Sequence, residues 1–151
     1  MDESLQSGQR EEASVPAAIV KQLIEVRERA YVPYSAHPVA AVAETQNGEL
    51  FAGCNVEVAH YKGLCAEASA IAAMVSAGHR ALRGVYVMGP GEHLCTPCGD
   101  CRQRIREFAL PDIAIKVLSG SGELLKQYTM ETLLPDAFGP ENVGRSSPLS
   151  S

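Results

Sequence analysis

Gly84-Val85-Tyr86-Val87-Met88 is a short apolar run, Gly89 to Pro97 follows without periodicity, and Cys98-Gly99-Asp100-Cys101-Arg102-Gln103-Arg104-Ile105-Arg106-Glu107-Phe108 comes next. The first segment has the length and composition of a buried strand, the second of a loop, the third of a helix. Ile113 to Leu118 then supplies another strand. Beyond it, Ser119-Gly120-Ser121-Gly122 leads into a strand from Glu123 to Met130, and a short helical piece from Glu131 to Leu134 precedes Pro135. Working back toward the start, Cys65 to about Ala77 is Ala-rich, with Ile71, Met74 and Val75 on one side and Gly78 as a stop, which predicts a largely buried helix. Val39 to Thr45 and Leu50 to Val56 flank Asn47-Gly48, a dipeptide suited to a type I′ turn between antiparallel strands. Ser14 is placed to cap a helix whose apolar residues Val15, Ile19, Leu23, Val26 and Ala30 fall at helical spacings, with Pro16 in its first turn. The order is α-β-β-α-β-α-β-β. Helices recurring between strands of one sheet make a layered α/β domain with helices on the sheet's faces.

At 151 residues the chain is about one domain's worth. Its 46% hydrophobic and 21% charged residues exclude a disordered, collagenous or coiled-coil protein. A domain of this size buries enough surface to stand without a disulfide framework. Residues 1–13 are polar and 142–151 are rich in Ser, Gly and Pro, so both read as flexible tails around one domain spanning 14–141. The five cysteines are an odd count, and the chain shows neither an apolar leader nor a long apolar span. These features predict a reducing, cytoplasmic location with no membrane. A net charge of −5 disfavours nucleic acid as a partner and favours a small neutral ligand.

Two segments carry the chemistry: Cys65-Ala66-Glu67 opens the second helix, and Pro97-Cys98-Gly99-Asp100-Cys101 opens the third. Helix starts stabilise a thiolate and should lower the thiol pKa. Cys98 and Cys101, three apart, share a face of the first turn, and Cys65 can close a three-thiolate Zn²⁺ site, one ion per chain. Three protein ligands leave a position for a water that the metal activates. Glu67, two residues from the first ligand, can reach that water without being a ligand, which suits a proton shuttle. Cys95 leaves alternatives open, because Cys95, Cys98 and Cys101 form a Cys-x-x-Cys-x-x-Cys run. It is compatible with a closed four-cysteine site including Cys65, or with part of an iron–sulfur motif. Cys54 reads as a small buried hydrophobe, His79 as a solvent-facing residue at a helix end, and His60 and His93 as loop-surface residues. Arg102, Arg104 and Arg106 do not share a helix face and read as a solvated surface. Tyr31, Tyr34 and Tyr61 read as subunit-contact aromatics.

Cys-x-Glu followed by Pro-Cys-x-x-Cys is the signature of zinc deaminases. It stands here with Tyr34-Ser35-Ala36-His37-Pro38-Val39-Ala40, Gly53-Cys54-Asn55-Val56-Glu57, Tyr61, Arg102-Gln103 and Leu134-Pro135-Asp136-Ala137-Phe138-Gly139-Pro140. From about residue 16 to 142 the chain resembles the homotetrameric cytidine deaminases. The resemblance implies a three-layer α/β/α sandwich with a five-stranded mixed sheet and helices on both faces. It implies that Cys65, Cys98 and Cys101 hold zinc and that Glu67 is the acid/base. For the substrate it implies that Asn55 and Glu57 grip the ribose hydroxyls. Thr96 would offer its carbonyl to the 4-amino group and Ala66 its N–H to the pyrimidine carbonyl, while His37, Val39 and Tyr61 line the pocket. Phe138 would be lent to a neighbour's base, so the active form would be a homotetramer with shared pockets.

Four departures cluster near the expected base and metal. Ala68 replaces an arginine that donates to the thiolates, leaving Arg102 or His93 as possible compensating cations. His37 replaces an aromatic, Val58 replaces an amide, and the stretch from Asn55 to Cys65 is one residue short. The implied reaction is hydrolysis of cytidine or 2′-deoxycytidine to the uracil nucleoside and ammonia, as in pyrimidine salvage, with N4-modified cytosine nucleosides as further substrates. A blasticidin S-type aminonucleoside deaminase is one alternative, and a non-catalytic zinc-stabilised binding or assembly module is another.

Overall fold

β1, Ala40–Thr45, is buried on both faces, and this sets the architecture. Small residues alternate along it: Ala41 and Ala43 pack with Val85, Val87, Ile71 and Met74, whereas Ala40 and Val42 pack on the opposite side with Ile19 and Leu23. The computed structural model describes residues 14–146. Around β1 lie β2 (Leu50–Cys54), β3 (Leu82–Met88), β4 (Ala114–Leu118) and β5 (Leu124–Thr129), in the spatial order β2-β1-β3-β4-β5. β3 and β4 run parallel, in register from Gly84 opposite Ala114 to Met88 opposite Leu118, and the other neighbouring pairs are antiparallel. The sheet is therefore mixed.

α1 (Ala17–Arg27) covers one face; α2 (Ala66–Ser76) and α3 (Gly99–Phe108), with the short α4 (Met130–Leu133), cover the other. This is the three-layer α/β/α sandwich that the resemblance implies. α2 lies close against the sheet because Gly53 admits it: a Cβ at Gly53 would stand 2.4 Å from the Ala70 nitrogen and 2.8 Å from the Ala66 carbonyl oxygen.

Several local expectations need correction. α1 begins after Pro16, whose carbonyl accepts from the Ile19 and Val20 amides, so Ser14 does not occupy the cap position. The helix ends at Arg27 because the next amides turn to nearer carbonyls, Arg29 N–H to Val26 and Ala30 N–H to Arg27. The β1–β2 turn is not type I′: Gly48 is left-handed at φ 82° but Asn47 is not. Instead the Thr45 carbonyl accepts from the Gly48 amide and its hydroxyl from the Glu49 amide, giving a three-residue loop. β2 stops at Cys54, since Val56 pairs with Tyr31 and Leu64 as isolated bridges. Residues 1–13 and 147–151, expected as tails, lie outside the described residues; between 142 and 146, Asn142 and Val143 belong to a 3-10 turn, Pro140–Val143.

Candidate active site

Cys65 and Cys98 are the N-cap residues of α2 and α3, both in extended backbone conformation, and neither side chain caps its helix. Their sulfurs are thus available to each other. Cys101, buried one turn into α3, completes a group whose three sulfurs lie within 4.8 Å of one another. The Cys65 and Cys98 sulfurs are 3.7 Å apart. Two thiolates on a tetrahedral zinc, with bonds of about 2.3 Å, stand about 3.8 Å apart, so the spacing fits the ion. Among the described residues this convergent group does not include Cys95. The closed four-cysteine alternative therefore falls, and Cys95 instead faces His37, sulfur to Nε2 at 3.8 Å.

For Cys65 and Cys101 the thiol pKa is pushed up, not down as a helix start suggests. Burial pushes Cys65 up, and the neighbouring Cys98 and Glu67 add to the shift. Burial, then Glu67 and the other two cysteines, push Cys101 up as well. Acidic groups crowded into a half-dry space oppose one another's ionisation, and a divalent cation among them supplies the missing counter-charge.

Glu67, in the first turn of α2, is 5% exposed, and burial raises its carboxyl above the usual carboxylate range. The Cys101 thiol donates to its Oε2 at 3.4 Å. A buried carboxyl of raised pKa touching the sulfur group is placed to take up and release a proton beside it. Ala66 is buried at the same helix start, where the first amides have no intrahelical acceptor. Ser69 fastens α2 to β2 by donating from its hydroxyl to the Cys54 carbonyl at 2.9 Å. Cys54 itself is half-exposed, not buried as its sequence suggests.

Beside the sulfurs opens a cleft of about 450 Å³ lined by residues that include Tyr34, Ser35, Asn55, Glu57, Tyr61 and Cys65. Asn55 spends its amide on the neighbouring segment, with Oδ1 accepting from the Val39 amide and Nδ2 donating to the His37 carbonyl, both at 2.9 Å. The Oε1 atom of Glu57 accepts from the amides of Tyr34 and Ser35, both at 3.1 Å. The Ser35 hydroxyl, those two amides and the nearby His37 hold the Glu57 carboxyl below its ordinary value. Tyr61 is left-handed at φ 61° and meets Tyr34 edge to face at 6.0 Å. His37 is exposed and Val39 buried, at the two ends of the segment that Asn55 holds. Thr96 is half-buried in the loop before Cys98.

The chain matches the description "cytidine and deoxycytidylate deaminase zinc-binding region" over residues 13–117. It belongs to that family. It is 35% identical over 126 residues to a cytidine deaminase of Sporosarcina psychrophila, covering 83% of this chain and 92% of that one. Identity is also 35% over 127 residues to the cytidine deaminase of Halalkalibacterium halodurans, covering 83% of this chain and 95% of the relative. The crystal structure of cytidine deaminase from Burkholderia pseudomallei superposes with a TM-score of 0.76 at 34% identity, covering 83% of this chain and 100% of that one. The zinc-binding character of the family and the convergence of Cys65, Cys98 and Cys101 agree on one zinc ion per chain.

As a member of the deaminase family the chain brings together Cys65, Glu67, Cys98 and Cys101 as its sequence predicts, and sets Asn55, Glu57 and Tyr61 in the adjoining cleft. Phe138 does not line that cleft; the residue is 61% exposed, and its carbonyl accepts from Gln103 Nε2 at 2.7 Å. Of the arginine run only Arg104 is exposed as a solvated surface would have it, and Arg102 and Arg106 are half-buried. Arg102 donates to the carbonyls of Pro97 and Leu133 at 2.8 and 3.0 Å, so it anchors the metal loop and its donors are turned to backbone oxygens. Arg106 pairs with Glu141, and Arg104 lies 3.3 Å from Asp100. His79 pairs with Glu49 and lies against Phe51. Reading for ligand spacing missed the roles of Ser35, Gly53 and Ser69, because a hydroxyl turned to a neighbouring carboxyl or carbonyl and a glycine that admits a helix carry no spacing motif.

Proposed function

We propose that this chain is a zinc-dependent deaminase that hydrolyses cytidine and 2′-deoxycytidine to uridine and 2′-deoxyuridine with release of ammonia. The observation that carries the reading is the buried Glu67 carboxyl, 3.4 Å from the Cys101 sulfur, beside three sulfurs spaced for one zinc ion and a cleft of nucleoside size. Cys65, Cys98 and Cys101 hold the ion. When bound, zinc supplies a water activated for attack on C4 of the base. Glu67 would take one proton from the attacking water and give it to N3, where it stays in the product; as C4–O forms, the second proton, left on the new C4 hydroxyl, would pass through Glu67 to the 4-amino nitrogen, and the C4–N bond then breaks to release ammonia. Ala66 N–H and the Thr96 carbonyl orient the base from either side, and Asn55 and Glu57 meet the sugar with the donor and acceptor capacity left after fixing residues 34–39. A closed, purely structural site gives a buried glutamate no purpose, which disfavours the non-catalytic reading.

The mouth of the cleft supports a homotetramer as the working form. Tyr31, Val56 and Leu64 are bridged side by side and exposed, Tyr34 is exposed, and Tyr61 is 84% exposed, an apolar surface suited to cover by a second copy. In that assembly Phe138, exposed and outside the lining of its own cleft, completes a neighbour's pocket. No helix among the described residues is long and apolar enough to cross a membrane, and the cysteines are free, as in a cytoplasmic protein. His37 and Cys95 form a small polar pair where the family resemblance implies an aromatic in place of His37. This favours a range that extends to cytosine nucleosides with modified 4-amino groups. Glu57, held ready by Ser35, favours a sugar with hydroxyls over an aminonucleoside of the blasticidin type.

Zinc-loaded protein mixed with cytidine and followed by ultraviolet absorbance tests the reading. Conversion to uridine supports it, and inactivity toward every 4-aminopyrimidine nucleoside overturns it.

A further inference from the structure

Arg27 ends α1, on the face of the sheet opposite the helices that carry the three sulfurs. Its half-buried guanidinium spans the carboxyl ends of the parallel strands β3 and β4. Nη1 donates to the carbonyl of Gly89, one residue past β3, at 2.8 Å, and Nη2 to that of Gly120, two residues past β4, at 3.0 Å. The Gly120 amide in turn donates to the Gly91 carbonyl at 2.7 Å. A Cβ at Gly89 would lie 2.6 Å from the Cys95 Cβ, and one at Gly120 would lie 2.8 Å from the Gly91 nitrogen and 3.0 Å from Arg27 Nη1. Past the strand ends these carbonyls have no ladder partner, and a planar fork with several fixed donors satisfies two at once, which an ammonium cannot do as well. The knot secures the first turn of the loop Gly89 to Pro97, whose far end delivers Thr96 and Cys98.

We infer that Arg27 is a positioning residue for the zinc centre: by clamping Gly89 to Gly120 it holds the loop so that Cys98 and Cys101 face Cys65 in chelating geometry. The inference rests on the proposed zinc site but not on the identity of the substrate. Its basis is the same preorganisation that outer groups give to metal ligands elsewhere, where their loss weakens metal affinity by about 10–100-fold.

The test uses full-length, zinc-loaded wild type, Arg27→Gln, Arg27→Lys and Gly120→Ala. It follows zinc release to a chromogenic chelator, the kcat and KM for cytidine, and the melting temperature with and without zinc. Arg27→Gln should release zinc about 10-fold faster or more, with kcat reduced and KM within about 3-fold of wild type; Arg27→Lys should fall between. Gly120→Ala, which presses a methyl group against the Gly91 backbone and Arg27 Nη1 and so strains the same clamp, should shift zinc release in the same direction and keeps the test open if Arg27→Gln does not fold. Wild-type zinc release and kcat in Arg27→Gln overturn the inference, as does an equal fall in melting temperature of zinc-loaded and zinc-free protein with zinc release unchanged. If Arg27→Gln does not fold, wild-type zinc release in Gly120→Ala overturns it. Wild-type inactivity toward cytidine strikes the deaminase reading instead, and zinc release still decides the role of Arg27.

Discussion

The sulfur of Cys65 stands 3.7 Å from that of Cys98, although the two residues open different helices, and this is the separation that two thiolates adopt on one tetrahedral zinc. Cys101 closes the group and Cys95 stays outside it. Replacing Cys65, Cys98 or Cys101 with Ala should therefore abolish stoichiometric zinc, whereas Cys54→Ala and Cys95→Ala should each retain one ion per chain by elemental analysis. Loss of zinc from Cys95→Ala alone would restore the four-cysteine site.

Gly53 sets how near α2, and with it Cys65 and Glu67, can come to the sheet. A methyl group there meets helix backbone, not a flexible side chain. Gly53→Ala should cost about 1–3 kcal/mol in chemical unfolding. It should also lower kcat, because the displaced backbone carries the acid/base and one metal ligand. Wild-type unfolding and wild-type kcat in this variant would show that the close approach has no functional weight.

The Ser35 hydroxyl is the largest cause of the lowered Glu57 pKa, followed in the same direction by backbone amides. For a carboxyl depressed on folding, its contribution is present above the ordinary carboxylate pKa and is lost only as pH falls through the lower folded value. The KM for cytidine should stay flat from neutral pH down to about pH 5. In Ser35→Ala the acid-side rise should begin at higher pH. Coincident KM profiles for the two proteins would remove Glu57 from sugar binding.

If the exposed Tyr31, Tyr34 and Tyr61 surface is covered by a second copy, Tyr61→Asp should shift the protein toward monomer in sedimentation experiments. Phe138→Ala should raise the KM for cytidine about 10-fold with little loss of folding stability. A wild type that is monomeric and fully active at assay concentration contradicts the shared pocket.

Much of this was legible in the residues because periodicity and ligand spacing are local. Val39 to Thr45 and Leu50 to Val56 around Asn47-Gly48 mark a pair of antiparallel strands, and Cys98 with Cys101 marks one side of a helix start. What escaped depends on which backbone groups need partners. Arg102 looked like a surface charge until its donors met the carbonyls of Pro97 and Leu133, and Arg27 sits in a helix that no metal motif touches. The direction of the thiol pKa shifts was also missed. Helix termini favour thiolates one at a time, but here burial and a neighbouring carboxyl act on Cys65 and Cys101 together.

Glu67→Gln is the most direct test, because it removes a titratable proton carrier while keeping the size and buried position of the side chain. The variant should retain one zinc ion per chain and bind cytidine with near wild-type affinity, yet turn over about 10³-fold more slowly or less. Turnover near the wild-type rate, with zinc and substrate bound, would contradict the assignment of Glu67 as the acid/base and with it the mechanism proposed for this site.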